Sequence, residues 1–128
     1  MDRRLVSSGS PYEPEIGFSR AVRVGSHIFV AGTAPIAPGG ATAAPDDVYG
    51  QTRRCLEIIE RAIVDAGGSL AHVARTRVML TDMTRWREAA RAHGEFFGAI
   101  RPASTFVRVA GLIDPAWLVE IEADAIVG

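Results

Sequence analysis

The strongest structural constraint in this 128-residue sequence is a strict alternation near its C-terminal end, within residues 117–126. Acidic side chains occupy every second position: Glu120, Glu122 and Asp124. Apolar side chains occupy the positions beside them: Ile121, Ala123 and Ala125. Because successive side chains of a β-strand point to opposite faces of the sheet, the segment is predicted to be a strand with one acidic face. Burying unpaired carboxylates is costly, so that face must meet solvent, a partner subunit or a ligand.

The composition is typical of a globular protein and argues against several classes of function. The sequence is 48% hydrophobic and 23% charged, and a net charge of −1 without a basic block argues against nucleic-acid binding. The apolar runs are too short for a membrane span or a signal peptide, so no membrane partner is expected and a cytoplasmic location is predicted. A single cysteine, Cys55, excludes an internal disulfide. The length fits one domain over residues 1–128.

The periodicity of apolar residues predicts two helices and about six strands. The predicted strands are Leu5–Val6, Arg20–Val24, His27–Ala31, Val73–Leu80, Ser104–Ala110 and Trp117–Ile126. The predicted helices are Tyr49–Ala66, which Asp46 or Asp47 could cap, and Arg85–Gly98. Residues 33–46 are rich in alanine, proline and glycine and are predicted to form a loop. The order β-β-β-α-β-α-β-β predicts an α+β sandwich with both helices on one face of the sheet.

The sheet face opposite the helices is predicted to carry a mixture of charged and apolar side chains. Besides the three carboxylates, strand alternation assigns to it Arg75, Arg77, Met79, Ser104, Phe106 and Arg108. Such a face could simply be solvated, as antiparallel sheets allow. It could also be a subunit interface with a pocket. Met79 and Phe106 beside charged groups favour the interface, because oligomer interfaces mix apolar anchors with paired charges.

Several short motifs, weak singly, occur in order along nearly the whole chain. They are Ile16-Gly17, Val30-Ala31-Gly32-Thr33-Ala34-Pro35, Gln51-Thr52-Arg53, Arg75-Thr76-Arg77-Val78, Thr81-Asp82, Glu95-Phe96-Phe97, Arg101-Pro102-Ala103 and Val119-Glu120-Ile121-Glu122-Ala123. Together they resemble the Rid family, the reactive intermediate deaminases also called YjgF-like proteins. The resemblance implies a chorismate-mutase-like α+β fold. It also implies a homotrimer with a ligand cleft between each pair of neighbouring subunits.

The resemblance also implies a chemistry, from which this sequence departs at three positions. In the best-known branch the clefts hydrolyse 2-imino acids, or their enamine tautomers, to 2-oxo acids and ammonia. An arginine after the Pro-Ala pair binds the substrate carboxylate, and a glutamate corresponding to Glu120 positions the attacking water. Here Ser104 replaces that arginine, Phe18 replaces a tyrosine of the N-terminal arm, and Ala90 replaces an asparagine. The chain therefore resembles a divergent branch, and these losses argue against simple 2-imino-acid hydrolysis.

The resemblance and the strand pattern together predict a set of site residues. Glu120 is the candidate catalytic residue. The candidate substrate-binding residues are Phe18, Gly32, Thr33, Arg75, Ser104, Thr105 and Phe106. Three arginines could replace the missing one or could pair with the carboxylates of the last strand: Arg75, Arg77 and Arg108. Arg101 directly precedes Pro102 in a predicted loop and is a weaker substitute. No metal or cofactor is expected, because the three histidines, His27, His72 and His93, do not stand at metal-ligand spacing.

Two functional hypotheses follow from the sequence. The first is hydrolysis of a small imine, enamine or related reactive metabolite at intersubunit clefts, with Glu120 positioning water. The alternative is a non-catalytic homotrimer that binds a small metabolite in a regulatory role. Loss of turnover on changing Glu120, with the trimer intact, would favour the enzyme.

Overall fold

The computed structural model describes residues 2–128 and contains six strands and three α-helices. The strands are β1 (Arg3–Val6), β2 (Ala21–Val24), β3 (His27–Thr33), β4 (Val73–Leu80), β5 (Ala103–Arg108) and β6 (Val119–Ile126). The helices are α1 (Tyr12–Ile16), α2 (Val48–Asp65) and α3 (Trp86–Phe97). Short 3₁₀ turns at Leu70–His72 and Met83–Arg85 precede β4 and α3. The predicted α+β fold, with six strands and two long helices, is confirmed.

The six strands form one mixed sheet in the order β1-β2-β3-β6-β4-β5. Neighbouring strands run antiparallel except β4 and β5, which are parallel and are joined through α3. A parallel pair needs such a crossover connection. The chain order therefore places the last strand, β6, between β3 and β4 in the interior of the sheet.

Strand β6 carries the alternation expected from the sequence. Its residues Val119, Ile121, Ala123 and Ala125 are buried against the helices, whereas Glu120, Glu122 and Asp124 are half-buried on the other face. We call that second face the open face. The register places the three acids beside Met79, Arg77 and Arg75 of β4 respectively. Arg77 and Glu122 form an ion pair there, so part of the acidic stripe is neutralised within the sheet.

Helix α2 supplies most of the cover on the buried face and holds β6 in place. It begins at Val48 because the side chain of Asp47 accepts a hydrogen bond from the Gly50 amide at 3.0 Å. Gln51 is fully buried on this helix. Its Nε2 donates to the Ala116 carbonyl at 3.1 Å, and its Oε1 accepts from the Leu118 amide at 2.8 Å. Gln51 thus fixes the chain directly before β6.

The predicted phase of β5 is wrong. Ser104, Phe106 and Arg108 lie on the helix side of the sheet, in register with Thr76, Val78 and Leu80 of β4. The Thr76 hydroxyl donates to Ser104 Oγ at 2.8 Å, and Phe106 packs against the core. The open face carries Thr105 and Val107 instead. The sequence of β5 mixes polar and apolar residues on both faces, so only its pairing with β4 determines the phase.

The N-terminal arm, which connects β1 to β2, contains a short helix that the apolar periodicity does not predict. Residues Tyr12–Ile16 form the short helix α1, which ends at Gly17 with a left-handed φ of 94°. Glu13 of this helix is buried, with 4% of its surface exposed. A buried carboxylate requires partners, and these lie in the arm itself and at the start of β2.

We expect Gln51→Leu to lower the free energy of unfolding by about 1–3 kcal/mol, because the Ala116 carbonyl and the Leu118 amide would lose the buried side-chain amide that binds them. Urea denaturation measures the change, with Glu60→Gln on the exposed side of α2 as the control. A Gln51→Leu protein as stable as the control variant would show that Gln51 does not anchor β6.

Candidate functional site

One large cleft lies between the N-terminal arm, the end of β3 and helix α2. Its volume is about 760 Å³. It is lined by arm residues 7–12, by Gly32 and Thr33, by side chains of α2 and by Glu120. We call this space the arm cleft. A concave site of this size with few convergent polar groups is the usual form of a small-molecule site.

The end of β3 is irregular where it borders the arm cleft. The register between β3 and β6 shifts between Val30 and Thr33, which marks a β-bulge. Gly32 lies within this bulge. A Cβ atom at Gly32 would stand 3.2 Å from Glu120 Oε2, so the absence of a side chain lets the carboxylate approach the backbone.

A buried network ties the arm to the bulge through Arg20, which is 6% exposed. Arg20 Nη1 donates to the Gly32 carbonyl at 2.6 Å and to Thr33 Oγ1 at 3.1 Å. Its Nε donates to Ser8 Oγ at 3.3 Å and lies 3.6 Å from Glu13 Oε2. Ser8 Oγ in turn donates to Glu13 Oε2 at 2.5 Å. Removing either charge would leave the other buried without compensation.

The electrostatics of the cleft favour a proton-accepting carboxyl at Glu120. Burial raises the pKa of Glu120 above the ordinary glutamate value, the positive charge of Arg20 opposes this shift, and the negative charge of Glu122 adds to it. A carboxyl whose pKa is raised is a stronger base when ionised and a ready proton donor when neutral. Burial also opposes ionisation of Glu13, but hydrogen bonds from Ser8 and Ser7 and the charge of Arg20 hold the pKa of Glu13 below its usual value.

The structure brings four of the predicted site residues together and places the other four elsewhere. Phe18, Gly32, Thr33 and Glu120 line the arm cleft. Arg75, Ser104, Thr105 and Phe106 lie on β4 and β5 at the other edge of the sheet. Their membership in a ligand site remains a prediction. The four arginines considered as substitutes, Arg75, Arg77, Arg101 and Arg108, lie outside the residues that line the arm cleft.

Ser104 belongs to a hydrogen-bonded chain that the sequence did not predict. Thr76 Oγ1 lies 2.8 Å from both Ser104 Oγ and His93 Nε2. The His93 ring packs against Phe97 and Phe106, with ring centroids 4.7 and 5.8 Å away. Burial lowers the pKa of His93, which favours the neutral imidazole. His93 is therefore a packed, hydrogen-bonded residue that positions the Ser104 hydroxyl.

Sequence reasoning missed two polar residues of the arm cleft, Arg20 and Trp117. The sequence predicts Arg20 as the first residue of a strand, and its burial depends on Glu13, in a helix that the sequence pattern does not predict. Trp117 is 3% exposed, and its Nε1 is the only buried side-chain nitrogen or oxygen in residues 2–128 without a hydrogen-bond partner. No local signal in the sequence marks an unpaired indole N–H.

Two wider features of the described residues bear on the type of site. Across residues 2–128, histidine, cysteine, aspartate and glutamate side chains form no group of three that could bind a metal ion. None of the helices in this part of the chain has both the length and the apolar character that a membrane crossing requires.

Comparison with known proteins identifies the family. The family model described as Endoribonuclease L-PSP matches residues 9–127, almost the entire chain. The chain belongs to the YjgF/RutC family. The match confirms the Rid-like resemblance seen in the sequence motifs. It includes Gly32 and Glu120 of the arm cleft and the β5 segment that carries Ser104.

Three relatives illustrate the similarity. A Mycobacterium tuberculosis structure, described as a member of the highly conserved YjgF/YER057c/UK114 family, is 48% identical, with a TM-score of 0.89 over 98% of this chain and 100% of that chain. E. coli TdcF with bound serine is 28% identical, with a TM-score of 0.81 over 98% of this chain and 94% of that chain. The 3-aminoacrylate deaminase RutC of Acinetobacter baylyi is 31% identical over 94% of each chain. The fold of this YjgF/RutC family member is thus shared at full length with its relatives.

We expect Glu120→Gln to raise the free energy of unfolding at neutral pH. Burial raises the pKa of Glu120 in the folded state, so the wild-type protein loses stability as pH rises through the pKa of unfolded glutamate and levels off above the folded pKa. Glutamine does not ionise, so the free energy of unfolding of the variant does not decrease with pH for this reason.

Urea denaturation between pH 4 and pH 8 measures the difference, with Glu15→Gln on the exposed side of α1 as the control. The stability gain of Glu120→Gln over wild type is expected to grow with pH across this range. A gain that shrinks with rising pH would mean that ionisation of Glu120 stabilises the fold.

Proposed function

We propose that this YjgF/RutC family member hydrolyses a small imine or enamine, with Glu120 as the general base that positions water. The observation that carries the proposal is the half-buried Glu120 carboxyl in the arm cleft, beside Gly32 and with a pKa raised by burial. The similarity to a 3-aminoacrylate deaminase over 94% of each chain supports a substrate with a nitrogen on a double-bonded carbon.

The proposed reaction needs only water as co-substrate. An enamine first takes a proton on carbon to become the imine. Glu120 accepts one proton from water as the water oxygen attacks the imine carbon, and it passes that proton to the nitrogen as the C=N bond opens, which gives a neutral carbinolamine. Glu120 then accepts the hydroxyl proton of the carbinolamine and passes it to the nitrogen, so the C–N bond breaks and ammonia leaves as the carbonyl forms. One carboxyl therefore serves as base and acid in turn, as its raised pKa allows.

The same proposal includes assembly as a homotrimer. One row of the open face runs across the sheet through Leu5, Val22 and Phe29 to Asp124 and Arg75. Leu5 is 62% exposed and Phe29 is 50% exposed, an apolar surface that a neighbouring subunit would cover. The β5 edge of a neighbour, with Ser104 and Thr105 exposed, would then complete the arm cleft.

We expect Glu120→Gln to lower kcat/KM by about 100-fold or more, because the glutamine cannot accept a proton from water. The assay measures ammonia release, above the spontaneous rate, from freshly generated 2-iminopropionate, 2-iminobutyrate and an uncharged ketimine. Glu60→Gln, on α2 outside the cleft, is the control. Light scattering verifies that the variants keep the assembly of the wild type. Equal turnover by wild type and Glu120→Gln would contradict the role of Glu120.

We expect Ser104→Arg to raise kcat/KM for the two imino acids by about 10-fold, because a guanidinium forms charge-assisted hydrogen bonds with a carboxylate. Turnover of the uncharged ketimine should not change. Parallel gains on charged and uncharged substrates would contradict a carboxylate contact at this position.

The second candidate is a non-catalytic metabolite-binding trimer, and the uncharged Ser104 hydroxyl held by Thr76 favours it. This alternative predicts saturable ligand binding without ammonia release from any of the three substrates. Turnover that depends on Glu120 would exclude it.

A further inference from the structure

Arg20 offers a hydrogen-bond donor that the fold does not use. Its Nε and Nη1 bind Ser8, Gly32 and Thr33, whereas Nη2 has no hydrogen-bond partner among residues 2–128. Within that region, Trp117 Nε1 is the only fully buried side-chain nitrogen or oxygen that lacks a hydrogen-bond partner. Nη2 also lacks a partner but is not fully buried. Arg20 lines the arm cleft, so the cleft is the space from which a ligand would reach Nη2.

We propose that Arg20 binds the carboxylate of a small anionic ligand in the arm cleft through Nη2. The other contacts of the guanidinium hold it rigidly. Binding a ligand at Nη2 therefore costs little side-chain conformational entropy. This assigns to Arg20 the anion-binding task for which Ser104 is unsuited. The inference extends the proposed function by specifying that the ligand carries a carboxylate. It depends on that function only for the reaction that follows binding.

Of the three arginines that line the arm cleft, Arg20 is the best placed to bind an anion. Arg54 and Arg61 also line the cleft, but they lie on α2 and pair with Glu57 at 3.4 Å and Asp65 at 3.1 Å. The Arg61 side chain is 78% exposed, whereas that of Arg20 is 7% exposed. A partly desolvated cation attracts an anion more strongly than one in water.

The nearest carboxylate leaves part of the Arg20 charge available. Glu13 Oε2 lies 3.6 Å from Arg20 Nε and makes no hydrogen bond with it. That oxygen is instead bound by the amide and hydroxyl of Ser8, at 3.2 and 2.5 Å. Glu13 therefore orders the arm around Arg20 and offsets part of its charge, so a ligand anion on Nη2 would compete with Glu13 for Arg20.

The position of Arg20 also suits the reaction. Arg20 binds the Gly32 carbonyl, and the Glu120 carboxylate approaches the same residue from β6. The two charged groups thus flank Gly32. A ligand carboxylate on Nη2 would place the adjoining carbon within the part of the cleft that Glu120 borders.

Binding without turnover tests the proposal directly, with pyruvate and its uncharged analogue pyruvamide as probes in calorimetric titrations. We expect wild-type protein to bind pyruvate about 10-fold more tightly than pyruvamide, since a charge-assisted hydrogen bond is stronger than a neutral one. Arg20→Gln should abolish this preference. Glu13→Gln, which removes the competing charge, should tighten pyruvate binding by about 3-fold and leave pyruvamide unchanged. Arg87→Gln, on α3 outside the cleft, is the control.

Three outcomes would overturn the proposal. Wild-type protein could bind pyruvate and pyruvamide equally, or the preference for pyruvate could be lost in Arg61→Gln and kept in Arg20→Gln. The third outcome is that Glu13→Gln binds pyruvate no more tightly than wild type. If Arg20→Gln does not fold, Arg20→Lys decides, because it keeps the buried charge opposite Glu13 but removes Nη2, and it should lower the preference for pyruvate. The test separates this inference from the proposed function. Turnover without carboxylate preference would refute only the Arg20 role, whereas carboxylate preference without turnover would refute only the hydrolysis.

Discussion

The pairing of β6 between β3 and β4 is the interaction on which the rest of the structure depends. It buries the apolar side of β6 under α2, and this fixes all three carboxylates on the open face. A one-residue slip would exchange the two sides and place Glu120, Glu122 and Asp124 in the core. The register is therefore strongly specified, and Gln51 reinforces it by binding the chain directly before the strand. The location of Glu120 follows from the folding of the core.

Two buried charges connect this framework to the arm cleft. Arg20 holds the bulge at Gly32 from one side and is matched on the other by Glu13, which the arm residue Ser8 binds. Burial of such groups opposes folding unless each has a partner, so the arm and the bulge are ordered together. Glu120 stands beside this network with its own charge only partly balanced. The cleft therefore disfavours the charged form of the Glu120 carboxyl relative to water, a kind of pKa shift that clusters at functional sites.

The sequence predicted the framework well because strong periodicity controlled it. The alternation in β6 and the apolar spacing of α2 each allow only one arrangement, and both were confirmed. The phase of β5 was wrong because its residues 103–108 alternate weakly, and long-range pairing with β4 decides the outcome. The arm cleft was only half predicted. Motif similarity indicated Gly32 and Glu120. Arg20 becomes a cleft residue only because of the short helix α1 and its buried Glu13, and no periodic pattern in the sequence predicts that helix.

The proposed role of Glu120 requires a desolvated carboxyl beside a cation, able to take and return a proton. A pH titration of the Glu120 carboxyl carbon by NMR, assigned by comparison with Glu120→Gln, measures this property. We expect a midpoint above the ordinary glutamate value, because burial outweighs the attraction of Arg20. A midpoint at or below the ordinary value would show a solvated or salt-bridged carboxylate and would refute the proposed role.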